Sequence, residues 1–147
     1  MKHYPYNNFK NDTNSLISKV QTFKPDAILG IARGGLTLAH AMAEGLNIRD
    51  VQTISTELYD HQQKRKFITV YGECSFKKAK KVLVVDDIAD SGETLQVVME
   101  YIKSQNPDTE FKSATLFYKK TSVYEPHFWI NEAVEWIEFF WESDFSE

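Results

Sequence analysis

The chain has 147 residues, 42% hydrophobic and 26% charged, and a formal net charge of -4. That length suits one domain with a real core and leaves little room for a second; the acidic balance argues against a general nucleic-acid binder. Cys74 is the single cysteine, which excludes an intrachain disulfide or a cysteine-based zinc cluster and reads as a small apolar residue.

No stretch approaches the ~20 apolar residues of a membrane helix. The opening MKHYPYNNFKND lacks a signal-peptide core, so a cytoplasmic location with no membrane partner is expected. Leu16, Ile17, Val20 and Phe23 recur at helical spacing after Asp12-Thr13-Asn14, any of which could cap a helix. Pro25 is expected to end it, because a residue before proline is pushed out of the helical region. DAILGIA, residues 26–32, has the continuous apolar character of a buried strand. Gly34 and Gly35 follow, and then Leu36, Leu38, Ala39, Met42 and Leu46 lie on a helix that Gly45 weakens or ends.

VQTIST, residues 51–56, predicts a third strand. Residues 58–72 fit no core pattern and read as a mobile loop, with a ragged hairpin allowed over 66–71. Val82 to Val85 is a second buried-strand signal, with Asp86 and Asp87 placed where that strand would emerge. Asp90-Ser91-Gly92-Glu93-Thr94 then forms a small polar turn into a helix from about Leu95 to Ile102. Asn106-Pro107-Asp108 is a turn and residues 111–118 a further strand. Beyond Lys119 the periodicity fails, and Phe128, Trp129, Trp136, Phe139, Phe140 and Trp141 crowd together.

Strands alternating with helices imply an α/β fold, a parallel twisted sheet flanked by helices. Ligands of such sheets sit beyond the carboxyl ends of the strands, and both the Arg33-Gly34-Gly35 turn and the 86–94 segment fall there. Unpaired N–H groups at a helix N-terminus receive phosphate oxygens, and carboxylates just upstream can hold ribose hydroxyls or a hydrated Mg²⁺. Neither a G-x-x-x-x-G-K-[ST] loop nor a G-x-G-x-x-G turn occurs, which counts against a P-loop or dinucleotide site. The residues alone thus indicate a sugar-phosphate site.

VLVVDDIADSGET, residues 82–94, resembles along its full length the signature of the type I phosphoribosyltransferases. That signature is an apolar strand, paired acids, two small or apolar residues and Asp-Thr/Ser-Gly-x-Thr. Gly30-Ile31-Ala32-Arg33-Gly34-Gly35 is similar to the family's pyrophosphate loop. Leu116-Phe117-Tyr118-Lys119 and Glu135-Trp136-Ile137-Glu138-Phe139-Phe140-Trp141-Glu142 look like the purine branch, most of all its bacterial xanthine-guanine members. The resemblance covers about residues 26–142, and Lys120 departs from it where a proline often follows the lysine.

What it implies can be stated residue by residue. Asp90, Ser91, Gly92, Glu93 and Thr94 would bind the 5′-phosphate of 5-phosphoribosyl-1-pyrophosphate (PRPP), with Asp90 also the catalytic carboxylate facing purine N7. Asp86 and Asp87 would serve ribose and Mg²⁺, Asp87 as the metal ligand. Ala32, Arg33 and Gly34, with Arg65 from a mobile Tyr59-Asp60-His61 loop, would bind pyrophosphate across a cis Ala32–Arg33 peptide. Lys119, Trp136 and Ile137 would bind the purine through O6, ring stacking and a backbone carbonyl.

The expected organisation is one phosphoribosyltransferase domain over 1–147. Its core spans about 24–120 and a small C-terminal hood about 121–147, with a contribution from the N-terminus left open. PRPP and a 6-oxopurine would be the substrates, no nucleic acid a partner, and a homo-oligomer, dimer or tetramer, the working form. A PRPP- or nucleotide-sensing regulator on the same fold, or a transferase for another base, are the alternatives.

Overall fold

The structure is a computed structural model and describes residues 1–60, 66–76 and 78–146. In chain order it runs β1 (Lys2–Tyr4), α1 (Tyr6–Val20), β2 (Ala27–Ala32), α2 (Leu36–Leu46), β3 (Val51–Asp60) and β4 (Lys66–Tyr71). Then come β5 (Lys81–Ala89), α3 (Glu93–Gln105), β6 (Glu110–Tyr118), β7 (Phe128–Glu132), β8 (Ile137–Phe139) and α4 (Phe140–Ser143). A six-stranded sheet has the order β4-β3-β2-β5-β6-β7, parallel except for the β3–β4 hairpin. β1 and β8 form a separate parallel ribbon.

The central strands are covered on both faces, which is why they read as unbroken apolar runs. Leu83 and Val85 of β5 join one core with Leu16, Val20, Leu38 and Met42 of α1 and α2. Val82 and Val84 face the other way, against Leu95, Val98 and Ile102 of α3. Each such fully buried aliphatic side chain stabilises the fold by about 1.5–3 kcal/mol. Among the described residues no helix is long and apolar enough to cross a membrane.

Several expectations are corrected. α1 begins at Tyr6 behind an extended Pro5, so Asp12, Thr13 and Asn14 lie inside it and cap nothing. It ends at Val20, before Pro25 acts, and the chain turns through Lys24 at φ 55°. Gly45 does not stop α2, which runs to Leu46 and is capped by left-handed Asn47. Part of the expected loop is regular, because β3 extends to Asp60 and pairs antiparallel with Lys66–Tyr71. Asp86 and Asp87 lie within β5, not after it, since pairing with β6 continues as far as Ala89↔Tyr118. The aromatic tail builds three elements, β7, β8 and α4, and the opening residues supply a strand the sequence did not announce.

Candidate functional site

The chain turns at the carboxyl ends of β2 and β5 meet directly. β2 ends at Ala32, and the Ala32–Arg33 peptide is cis, as expected. Gly34 lies so close to the Asp87 carboxylate that an added Cβ would fall 2.8 Å from its Cγ. Gly35 is equally confined, its Cβ position being 2.8 Å from the Ile31 carbonyl and 3.1 Å from Asp86 Cα. A larger residue at 34 would displace the acid pair, so the two loops form one surface because glycine is there.

Asp87 is buried at 8% exposure, with its Oδ1 accepting the Ile88 N–H at 2.7 Å, while Asp86 Oδ1 accepts the Asp87 N–H at 2.9 Å. Burial, reinforced by the neighbouring Asp87 charge, raises Asp86 well above the usual carboxylate range. Burial likewise pushes Asp87 up to about 6, against the pull of hydrogen bonds from Asp86 and the Ile88 N–H, and Glu142 adds to the rise. Among the described residues neither acid forms an ion pair. Two crowded, desolvated carboxylates offering only oxygen donors fit a hard divalent cation that shares its remaining ligands with a substrate.

After Ala89 the chain forms a concavity of about 160 Å³ lined by residues 86–92 with Thr94 and Leu95. Gly92 takes φ 82°, a left-handed conformation that opens α3, and its missing Cβ leaves room for Ser122 Oγ. The Ser91 hydroxyl accepts the Glu93 N–H at 3.3 Å, and the Ser91 carbonyl accepts the Val123 N–H at 2.8 Å. The segment after β6 therefore clamps this helix start.

A second cavity of about 260 Å³ shares Asp87, Ile88 and Asp90 with the first. Lys119, Val134, Trp136 and Ile137 complete much of its wall. Lys119 Nζ stands 3.7 Å from Asp90 Oδ1, both side chains half exposed. Trp136 is 68% exposed, whereas Ile137 is buried. An open groove of about 810 Å³ continues past Arg33, Gly34 and Thr37, with Trp136, Glu138 and Glu142 opposite.

Of the expected site residues, Ala32, Arg33, Gly34, Asp86, Asp87, Asp90 to Thr94, Lys119, Trp136 and Ile137 thus gather around one sheet edge. Arg65, like His61, lies outside the described residues. Ser122 and Val123, which support the helix start, carried no sequence signal because their role is backbone contact. Glu142 stood in the tail motif, and its place beside Asp87 is visible only in three dimensions.

Comparison with known proteins bears on this site. The family model of the phosphoribosyl transferase domain matches residues 6–146. A xanthine-guanine phosphoribosyltransferase of Cereibacter sphaeroides is 29% identical over 95% of this chain and 86% of its own. Among solved structures, a Helicobacter pylori xanthine-guanine-hypoxanthine phosphoribosyltransferase superposes with a TM-score of 0.92 at 34% identity, covering 97% of this chain and 94% of that one. A purine phosphoribosyltransferase from Pyrococcus horikoshii gives a TM-score of 0.82 at 29% identity, with 96% and 93% covered. The chain belongs to the phosphoribosyltransferase family, with the mixed α/β fold and parallel central sheet of its type I members.

Proposed function

We propose that this enzyme transfers the 5-phosphoribosyl group of PRPP to N9 of a 6-oxopurine, releasing pyrophosphate and a nucleoside monophosphate in purine salvage. The observation that carries the reading is the pair of adjoining cavities joined at Asp87, Ile88 and Asp90. One is shaped by a helix start suited to phosphate, the other by Lys119 and Trp136, suited to an oxopurine. Guanine, xanthine and hypoxanthine are the bases it fits.

As the glycosidic carbon loses pyrophosphate, positive charge develops on ribose and negative charge on the leaving group. Fixed donors aimed at that negative charge are the principal means of catalysis. Arg33 presents a planar fork of donors beside Gly34, whose lack of a side chain lets this turn lie directly against the Asp87 carboxylate. The N–H groups that open α3, with the Ser91 and Thr94 hydroxyls, receive the 5′-phosphate. Asp86 and Asp87 would hold the ribose hydroxyls and Mg²⁺, which when bound would supply neutralising charge for the departing pyrophosphate. Lys119 donates to O6 and Trp136 covers the purine ring face.

Asp90 faces the base and manages its proton, within reach of Lys119. Arg65 is assigned to pyrophosphate. The β1–β8 ribbon and α4 act as the hood over a core of about 24–120. The enzyme works in the cytoplasm as a homo-oligomer, which light scattering checks directly.

The deciding experiment is an assay of PRPP and Mg²⁺ against guanine, xanthine, hypoxanthine, adenine and uracil. Turnover of one or more 6-oxopurines is expected. Turnover of adenine alone would remove the O6 role of Lys119, and no turnover with any base would favour a PRPP-sensing regulator.

A further inference from the structure

We infer that the N-terminal strand β1 is a positioning element for recognition of the purine 2-substituent, a role that rests on the purine reading above. β1 pairs parallel with β8 in the register Lys2↔Ile137, His3↔Glu138, Tyr4↔Phe139, and the Lys2 N–H donates to the Trp136 carbonyl at 2.7 Å. In a parallel ladder the bonding residue of one strand connects to the two residues flanking its partner. Lys2 therefore addresses Trp136 and Glu138, and Ile137 between them turns its own N–H and C=O to the opposite edge of β8. No other strand pairs with that edge in the described ribbon.

Ile137 lines the 260 Å³ cavity together with Lys119 and Trp136. The register thus decides which backbone groups can meet the base. A slip of one residue would turn the Ile137 carbonyl into β1 and reverse every side chain of β8. Guanine carries an amino group at C2 that donates to a carbonyl. Xanthine carries an oxo group there that accepts from an N–H, and hypoxanthine carries only hydrogen. Groups aimed by β1 therefore separate the first two bases from the third.

The strand is held in place by Tyr4. Its ring is 1% exposed and lies edge-on to Phe117 at 5.0 Å and to Phe139 at 5.7 Å. Its hydroxyl donates to Asp12 of α1 at 2.7 Å. Asn131 Nδ2 of β7 donates to the same carboxylate at 2.9 Å and to the Leu116 carbonyl at 3.2 Å. One side chain thereby ties β8, which carries Ile137, to β6, which leads into Lys119. The donor to O6 and the groups at the 2-position are fixed relative to each other through it.

The test is a comparison of KM and kcat for guanine, xanthine and hypoxanthine at saturating PRPP. Lys2→Pro removes the one N–H bonded to Trp136; it is made behind a short N-terminal extension, shared by the parent protein, so that residue 1 is retained. His3→Pro is the control for the proline itself, because by the same ladder rule the His3 N–H points away from β8; it is read against His3→Ala, which loses the same imidazole contact with Glu138 at 3.1 Å. Lys2→Pro is expected to raise KM for guanine and xanthine about tenfold, the scale of one hydrogen bond. KM for hypoxanthine and for PRPP stays within about twofold, and His3→Pro leaves all values there. Tyr4→Phe, which keeps the ring and loses the Asp12 bond, gives a smaller change of the same kind and serves if Lys2→Pro does not fold. An equal rise for all three purines, or no change in Lys2→Pro, overturns the inference while leaving the purine reading intact. A parent protein that turns over none of the three overturns both.

Discussion

Asp87 and Gly34 lie more than fifty positions apart in the sequence, yet each determines what the other can be. The carboxylate occupies the space a side chain at 34 would need, so Gly34→Ala forces the Cβ onto Asp87 or the turn away from it. Either shift moves the anion-binding turn relative to the acid pair by a fraction of an ångström or more. Displacements of that order at a reacting centre can cost about 100-fold in rate. Gly34→Ala is therefore expected to lower kcat/KM for PRPP by about 100-fold. The melting temperature should fall by only a few degrees, because the turn lies at the rim of the sheet. Steady-state kinetics with a thermal melt on the same preparation checks it, and wild-type kinetics in the variant would detach Gly34 from the site.

At the scale of elements, the segment joining β6 to β7 depends on His127. Its Nδ1 accepts the Ser113 N–H at 3.1 Å, its own N–H donates to Ser113 Oγ at 3.2 Å, and that oxygen also meets the Tyr124 hydroxyl at 3.1 Å. Partial burial lowers the His127 pKa, Lys103 of α3 and Lys112 of β6 lower it further, and Glu110 opposes them. A lowered pKa means that the unfolded chain binds the proton more tightly than the folded one. Stability should then fall as pH drops below the unfolded value of about 6.5 and level off below the folded value. Melts at pH 7.5 and 5.5 should show the wild type losing more stability on acidification, or gaining less, than His127→Gln, which keeps an acceptor facing Ser113. The raised carboxylates Asp86 and Asp87, which gain on acidification, are common to both proteins and cancel in the comparison. Equal changes in both proteins would exclude His127 as the cause.

The same elements show what a sequence can announce. β2 and the first half of β5 were legible because burial on both faces demands unbroken apolar runs, and the 90–94 turn because its residue types follow from phosphate chemistry. β1 and β8 were not, for each is a three-residue strand whose partner lies some 130 positions away. Asp86 and Asp87 read as a strand end because charge normally marks one; here the pairing with β6 outlasts the apolar run. Pro5 in place of Asp12-Thr13-Asn14 at the helix start reflects the same limit, since Phe9 buries against the tail aromatics Phe140 and Trp141, and the half-exposed Tyr6 meets Phe140 edge-on, contacts that local pattern cannot reveal.

For the whole molecule, the two cavities draw on chain segments that only the fold unites: the β5–α3 turn, Lys119 after β6, and β8 of the ribbon, with the β2–α2 turn lining the open groove beside them. A ligand filling both cavities bridges the central sheet and the ribbon, so it should stabilise more than one filling the phosphate side alone. A ligand at one hundred times its Kd adds about 2.7 kcal/mol, and at this chain length each kcal/mol raises the melting temperature by about 2–5 °C. Guanosine monophosphate at that level is expected to raise it by roughly 5–13 °C, and ribose 5-phosphate at the same concentration by clearly less. Lys119→Ala should erase most of the difference between the two ligands and leave the ribose 5-phosphate shift unchanged, since that lysine lines only the base side. If the variant lost both shifts together, Lys119 would be supporting the phosphate site through its contact with Asp90, and the base cavity would need another donor for O6.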